Sequence, residues 1–268
     1  MLAHVRNIHA GKSFAVLGSG PSVSLFQRKE DVVIGVNGAG QLLRSGDYLF
    51  SQDERACMRS WFTTLAPEVT CVLKATAAMR SERLYPDREI REGLIGIFES
   101  YVKSHPSEVR LNDDGFKTIR PGNPVIDAFQ ELFPIPKPPH MIVRFVNEQS
   151  ISREMGSLIK KGTSACGAMQ LAYVMGASEI HLYGVQFTND AKGIPTSYSG
   201  TNYFYVPKPG EEGRTMEEQR IDMDGIASRI SCLGAKVYSH GFTRLKNTIK
   251  MDADKCAPLA EQPAPSRV

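Results

Sequence analysis

No run among the 268 residues is long and apolar enough to cross a bilayer, so no membrane-spanning helix is expected. The opening segment MLAHVRNIHAGKSF has no continuous apolar core of the kind a secretory signal carries, and cytoplasmic residence is the expectation. Cysteine is sparse. The five residues, Cys57, Cys71, Cys166, Cys232 and Cys256, are odd in number, widely spaced and without a Cys-x-x-Cys pair, which argues against a disulfide framework and against a zinc site. Basic runs are missing too. The 32 Lys and Arg are scattered among 29 Asp and Glu, and the net charge of +3 fits an anionic ligand without requiring nucleic acid. What remains, 41% hydrophobic and 23% charged, is an ordinary soluble composition. A chain of this length can bury the core of one large α/β domain, with or without an inserted subdomain.

The stretch that organises the chain is Ser13 to Ser22, SFAVLGSGPS. An apolar run, Phe14 to Leu17, ends in Gly18-Ser19-Gly20-Pro21-Ser22, and a helix start follows through Val23, Leu25 and Phe26. In a strand–turn–helix of this kind two glycines let backbone approach a bulky anion, and the free amides of the helix start point at it. Pro21 suits a first helical position, while Ser19 or Ser22 can cap or donate to phosphate. The expected ligand is a nucleotide. A third glycine three residues on would complete the dinucleotide fingerprint, but Val23 stands there, so NAD and FAD are not favoured. No Gly-Lys-Ser/Thr ending is present either, which argues against a P-loop. The glycines serving only the turn is the competing reading.

Further strands are expected at Asp31–Val36, Gly46–Asp53, Pro67–Leu73, Met141–Val146, Glu179–Tyr183 and Lys236–Ser239, with a short helix at Gln41–Arg44. Asn37 ends the second strand, from which open α/β sheets contact a ribose or base; a left-handed turn residue is the alternative. Asp53 ends the third, placed to hold a metal or sugar hydroxyl, or simply to cap the next helix. From about 75 to 140 the pattern loosens into a variable insertion with one helix near 123–133 and a stiff PIPKPP linker.

The second strong stretch is Lys160 to Phe187. Thr163 and Ser164 open an apolar helix, Ala165 to Met175, in which Gly167 and Ala168 permit close packing and Gly176 is a C-terminal cap. A hydroxyl pair opening a buried helix is another anion site. Two such sites can grip one nucleotide from both sides. Residues 188–213 read as a lid bearing Tyr198, Tyr203, Phe204 and Tyr205. Thr215 and Glu218 form a capping box for a helix running to Leu233; a last helix is expected at Gly241–Lys250, and 251–268 reads as a disordered tail after a single domain spanning 1–250.

Together, the Gly18–Ser22 turn, Asn37, Thr163-Ser164 leading into Ala172–Gly176, and Glu179-Ile-His-Leu-Tyr-Gly184 before a tyrosine-bearing lid carry a resemblance. The chain resembles the bacterial CMP-sialic-acid-dependent sialyltransferases of the Campylobacter type, and a related superfamily of flagellin-glycosylation proteins and archaeal 6-hydroxymethyl-dihydropterin pyrophosphokinases. The likeness covers about half of the chain, in two blocks. It implies a Rossmann-like, mostly parallel sheet with helices on both faces, in which Gly18, Ser19, Gly20, Pro21, Ser22, Asn37 and Ser164 hold a nucleotide. Lid tyrosines Tyr198, Tyr203 and Tyr205 would neutralise the departing phosphate without a metal. Ser19 replaces the asparagine usual in that turn, Lys161 stands where those enzymes carry arginine, and Gln186, two residues after Gly184, replaces an aspartate.

The largest departure is the general base. Those enzymes use a lid histidine, and 188–224 contains none, which leaves Glu217, Glu218, Asp222 or His240. The leading expectation is therefore a glycosyltransferase that moves a sugar from a nucleotide-activated, CMP-linked donor to a glycan or other hydroxyl acceptor. It would need no metal or cofactor and could assemble as a homo-oligomer. The alternatives are a Mg²⁺-dependent pyrophosphokinase or nucleotidyltransferase using Asp53, and a non-catalytic nucleotide-binding module.

Overall fold

The computed structural model describes residues 2–53, 56–105, 109–111, 117–119, 136, 139–147, 150–188 and 216–256. In chain order the elements are β1 (Ser13–Leu17), β2 (Val32–Val36), β3 (Tyr48–Ser51), α1 (Ser60–Thr63), β4 (Thr70–Lys74), α2 (Ala75–Ala78), α3 (Arg88–Ser104), β5 (Val109–Leu111) and β6 (Lys117–Ile119). They continue as β7 (Met141–Val143), β8 (Phe145–Val146), β9 (Leu158–Ile159), α4 (Ser164–Val174), β10 (Glu179–Tyr183), α5 (Met216–Cys232), β11 (Lys236–His240) and β12 (Ile249–Met251). Eight strands form one parallel sheet in the order β12-β11-β10-β1-β2-β3-β4-β7. The expected doubly wound, Rossmann-like α/β architecture is what the chain adopts.

Strands covered on both faces must be apolar throughout, and all five residues of β2 are buried. Alternation then sorts the side chains. Phe14, Val16, Ile34, Phe50, Val72, Ile180, Leu182 and Val237 face the layer built by α4 and α5. Ala15, Leu17, Val33, Leu49, Cys71, Leu73 and Tyr183 face the other layer, which holds Trp61, Phe62 and the buried stripe Leu94, Phe98 and Val102 of α3. Helix α4 is buried all round from Ala165 to Val174, and packs on β1, β2, β3, β10 and α5. The N-terminal turn closes its far end. Asn7 N donates to Val174 O at 3.0 Å, His9 N to Met175 O at 2.9 Å and Gly11 N to Gly176 O at 2.9 Å, satisfying carbonyls the helix leaves unpaired.

Several expectations need correction. The segment after the Gly18–Ser22 turn is one 3₁₀ turn, Pro21–Leu25, ended by Phe26 in extended conformation (φ −67°, ψ 123°) and by Arg28 at the left-handed φ of +54°. The short helix expected at Gln41–Arg44 is a 3₁₀ segment, Asn37–Leu42. The region expected to be loose contains α2 and the 17-residue α3, capped by the Asp87 side chain accepting from Glu89 N and Ile90 N at 2.8 and 3.3 Å. Its helix near 123–133 lies outside the described residues. Met141–Val146 is two strands, not one: β7 joins the large sheet, and β8 pairs with β9. No helix spans Gly241–Lys250. That segment is held instead by Thr243 Oγ1 donating to Val185 O (2.8 Å), Arg244 N to Gln186 O (3.0 Å), and Lys246 N and Asn247 N to Asp224 Oδ1 (2.7 and 3.0 Å). Met251, assigned to a tail, closes β12; residues 257–268 lie outside the described residues. Among the described residues no helix is long and apolar enough to cross a membrane.

Burial pushes the Cys57 and Cys71 thiols up to about 12, whereas Cys232 is exposed. A chromogenic disulfide reagent at about pH 8 should therefore modify Cys232 rapidly, and Cys57 and Cys71 only in denaturant. Rapid labelling of Cys71 in the folded protein would contradict its place in β4.

Candidate functional site

The chain runs outward from β1 through β2, β3, β4 and β7, then returns to lay β10 on the other flank of β1. Strand order thus reverses between β1 and β10, and the carboxyl edge there is where open α/β sheets form a ligand crevice. The loops that follow these two strands are stitched together. Gly18 N donates to Tyr183 O at 2.7 Å, Gly20 N to Gly184 O at 2.9 Å, and Ser22 N to Gln186 Oε1 at 3.2 Å. Gly184 N returns a bond to Ser22 Oγ at 2.9 Å. A Cβ on Gly18 would lie 2.5 Å from Gly184 O, one on Gly20 2.8 Å from the same oxygen, and one on Gly184 2.5 Å from Gly18 O. Gly184 also sits at φ +69°. The glycines are required for the approach of two protein loops. The amides of Gly18, Gly20 and Ser22, expected to face phosphate, are spent on β10's end, and only Ser19 and Pro21 of this turn keep partial exposure.

Gln186 is likewise taken up. It is 2% exposed, and its Nε2 donates to Cys256 O at 2.9 Å while its Oε1 accepts from Ser22, so it clamps three segments. Asn37 adopts the left-handed φ of +49°, and its Oδ1 accepts from Ser51 Oγ at 2.6 Å. Ser51 Oγ in turn accepts from Asp53 N at 3.0 Å, so the ends of β2 and β3 are tied. The Asp53 carboxylate pairs with Arg59 Nε at 3.7 Å.

The other expected anion site stands at the same edge, on the α4 side of β3. Thr163 is the N-cap of α4, in extended conformation (φ −96°, ψ 175°), yet its side chain makes no capping bond. Its Oγ1 is buried without a hydrogen-bond partner. Ser164 occupies the first turn, and helix geometry leaves its amide and that of Ala165 without intrahelical acceptors. Gly167, one turn on, lies against the end of β3; a Cβ there would meet the Phe50 ring at 2.6 Å and Gln52 Nε2 at 2.8 Å. Gln52 Nε2 is also buried without a partner. A donor and a hydroxyl therefore stand unsatisfied within about one turn of a helix end that carries roughly half a positive charge. Sequence reasoning missed Gln52. Its signal was position, the residue directly after a parallel strand at the sheet's carboxyl edge.

Among the candidate bases, Asp222 is tied to the segment that leads into this helix, its Oδ2 accepting from Gly162 N at 3.2 Å. Glu217 is paired with Arg220, whose hydrogen bond holds the carboxyl below its ordinary range. Lys161 lines a groove of about 730 Å³ with Ile159, Arg229 and Cys232, on the flank of α5. His240 is removed from the site. It lies on β11, four strand spacings from β3, about 19 Å at roughly 4.8 Å each, and on the face opposite α4. There its Nε2 is 2.9 Å from His181 Nδ1, and burial, then His181, lowers its pKa. Tyr198, Tyr203 and Tyr205 lie outside the described residues.

Comparison of the chain with protein-family models, with curated proteins and with solved structures returns no match. Gly184→Ala should cost at least about 2 kcal/mol in urea denaturation, through both its positive φ and its clash with Gly18 O. Gly93→Ala, on the exposed face of α3 with nothing near its Cβ, should instead stabilise by up to about 1 kcal/mol. Equal effects would remove the stitch as an explanation for the glycines.

Proposed function

We propose that the chain is a glycosyltransferase that takes its sugar from a nucleotide-activated, CMP-linked donor, with the donor phosphate at the first turn of α4. The observation that carries this reading is the pair of buried, unpartnered polar atoms, Thr163 Oγ1 and Gln52 Nε2, at that helix start. Unsatisfied buried groups cost about 1–3 kcal/mol each, and an oxyanion bonded to both would relieve that cost. The nucleoside would run along the carboxyl edge toward Ser19 and Asn37. From β3 to β1 is two strand spacings, about 10 Å, within the reach of one nucleotide.

Chemically, the acceptor oxygen would form a bond to the anomeric carbon as the bond to the phosphate oxygen breaks, with inversion. The departing electron pair would be stabilised on phosphate by the α4 amides, Gln52 and Thr163. The acceptor's proton would pass to Asp222 or to water. Catalysis of this kind rests mainly on positioning and on stabilising the leaving group. The Mg²⁺-dependent phosphoryl-transfer reading gains less support, because the carboxylate it would use, Asp53, is engaged with Arg59.

Titration with CMP should raise the melting temperature, and ligand at a hundredfold excess over Kd should add about 2.7 kcal/mol of stability. Gln52→Ala and Thr163→Val should each weaken CMP binding about tenfold. Turnover of the CMP-sugar should survive EDTA. If CMP, CDP, ADP and GDP all leave the melting curve unmoved and no CMP is released, the reading fails; ATP consumption abolished by EDTA would move it to the phosphoryl-transfer class.

A further inference from the structure

We propose that Glu30, His181 and His240 form a binding site for one divalent transition-metal ion, best matched by Zn²⁺, on the sheet face opposite α4. One ligand atom from each lies within 4.8 Å of the other two. His181 Nδ1 is 2.9 Å from His240 Nε2 and 3.9 Å from Glu30 Oε1. Tetrahedral coordination at about 2.0–2.1 Å needs ligand atoms about 3.3 Å apart, so the two nitrogens must part by roughly half an ångström and the carboxylate must close in, by about half an ångström toward His181 and by up to about 1.5 Å toward His240.

The surroundings are those a metal ligand set requires. The Glu30 side chain is only 5% exposed, and among the described residues the only basic side chain within ion-pair range of it is His181. Its other oxygen, Oε2, accepts from Lys29 N at 3.2 Å, so both oxygens are oriented while the charge itself has no fixed full cation beside it, the place a bound ion would take. Tyr183 OH donates to Glu30 Oε1 at 2.7 Å and orients it. The second nitrogen of His181 faces Glu179 Oε2 at 3.8 Å, the carboxylate–histidine arrangement that fixes a ligating tautomer. Both rings are held flat against tyrosines, His240 on Tyr183 (4.1 Å, 14°) and His181 on Tyr238 (4.6 Å, 12°).

Two imidazoles and one carboxylate suit Zn²⁺ and exclude the oxygen-only preference of Mg²⁺ and Ca²⁺. Without metal, a single proton lies between Nδ1 of His181 and Nε2 of His240. On binding, that proton passes to the outer nitrogen of whichever ring carries it, His181 Nε2 facing Glu179 or His240 Nδ1, so both rings ligate as neutral imidazoles. Three protein ligands leave the fourth position to water. The ion would pin the segment before β2 to the β10–β11 edge, independently of whether a nucleotide binds at α4.

The test uses the full chain, stripped with EDTA and titrated with Zn²⁺ against a chromogenic chelator and with Co²⁺ for its visible tetrahedral absorption. The expected result is one ion per chain, with affinity at least a hundredfold lower in Glu30→Gln and in His240→Gln. Glu179→Gln, a third exposed in the native protein, should keep the fold and lose about tenfold. His105→Gln, remote from the cluster, should change nothing. Absence of stoichiometric binding, or Zn²⁺ affinity unaltered in Glu30→Gln or Glu179→Gln, would overturn the proposal.

Discussion

The junction between the ends of β1 and β10 is the constraint on which the rest of the molecule depends. On one side of it lie β2, β3, β4 and β7, and on the other β11 and β12, so two halves of the sheet meet at a single strand pair. Three amides and one hydroxyl close that seam, and Gln186 extends it to Cys256 beyond β12. Each bond adds only about 1 kcal/mol net. Their geometry matters more, because it forces Gly18 and Gly184 to a distance at which neither tolerates a Cβ. It also fills the place beneath the crevice that a phosphate would otherwise take.

What the seam withholds from a ligand, α4 offers. The two ends of this helix are treated differently. Its C-terminal carbonyls receive amides from the N-terminal turn, and Gly176 at φ +106° packs so closely on Ala10 that a Cβ would lie 2.7 Å from its Cα. Its N-terminus has an N-cap residue of the right type, but Thr163 spends no hydrogen bond on capping. Gly167 lets β3 approach until Gln52 stands at the same opening. A protein that satisfies one helix end with three backbone bonds has the means to satisfy the other. On the reading proposed above, an external group would take up what this end leaves unused.

Much of the sheet was legible because apolar runs such as Asp31–Val36 and Glu179–Tyr183 have only one way to be buried on both faces. Helix α4 was equally plain in its small, apolar residues and closing Gly176. Failures came where tertiary contacts replace local pattern. The sequence of α3 carries Gly93 and Gly96 at its centre and is crowded with charge, which hides the Leu94, Phe98 and Val102 stripe of an unbroken helix. Residues 241–248 carry helix-compatible types, yet Asp224 and Thr243 capture their amides in an irregular path. For the site, residue type pointed to both Gly20 and Ser164, but hydrogen-bond partners contributed from 160 residues away cannot be read locally. Those partners decide that the first turn is a seam and the second an opening.

His240 shows how far strand alternation alone could have gone. Val237 lies under α5, and β11 runs parallel to β10 with Ile180 opposite Val237 and His181 opposite Tyr238. A period of two then requires Tyr238 and His240 to project with His181 and Tyr183 on the other face. No movement within the strand can return His240 to α4, since a shift by one residue would expose Val237 and bury Tyr238 against the helix layer. The same rule that removes this histidine from the helix site gathers it with a second histidine, and the buried Glu30 completes the group. Under the two proposals, the α4 side of the sheet would receive an anion on amide and hydroxyl donors, and the opposite face a cation on imidazole and carboxylate lone pairs.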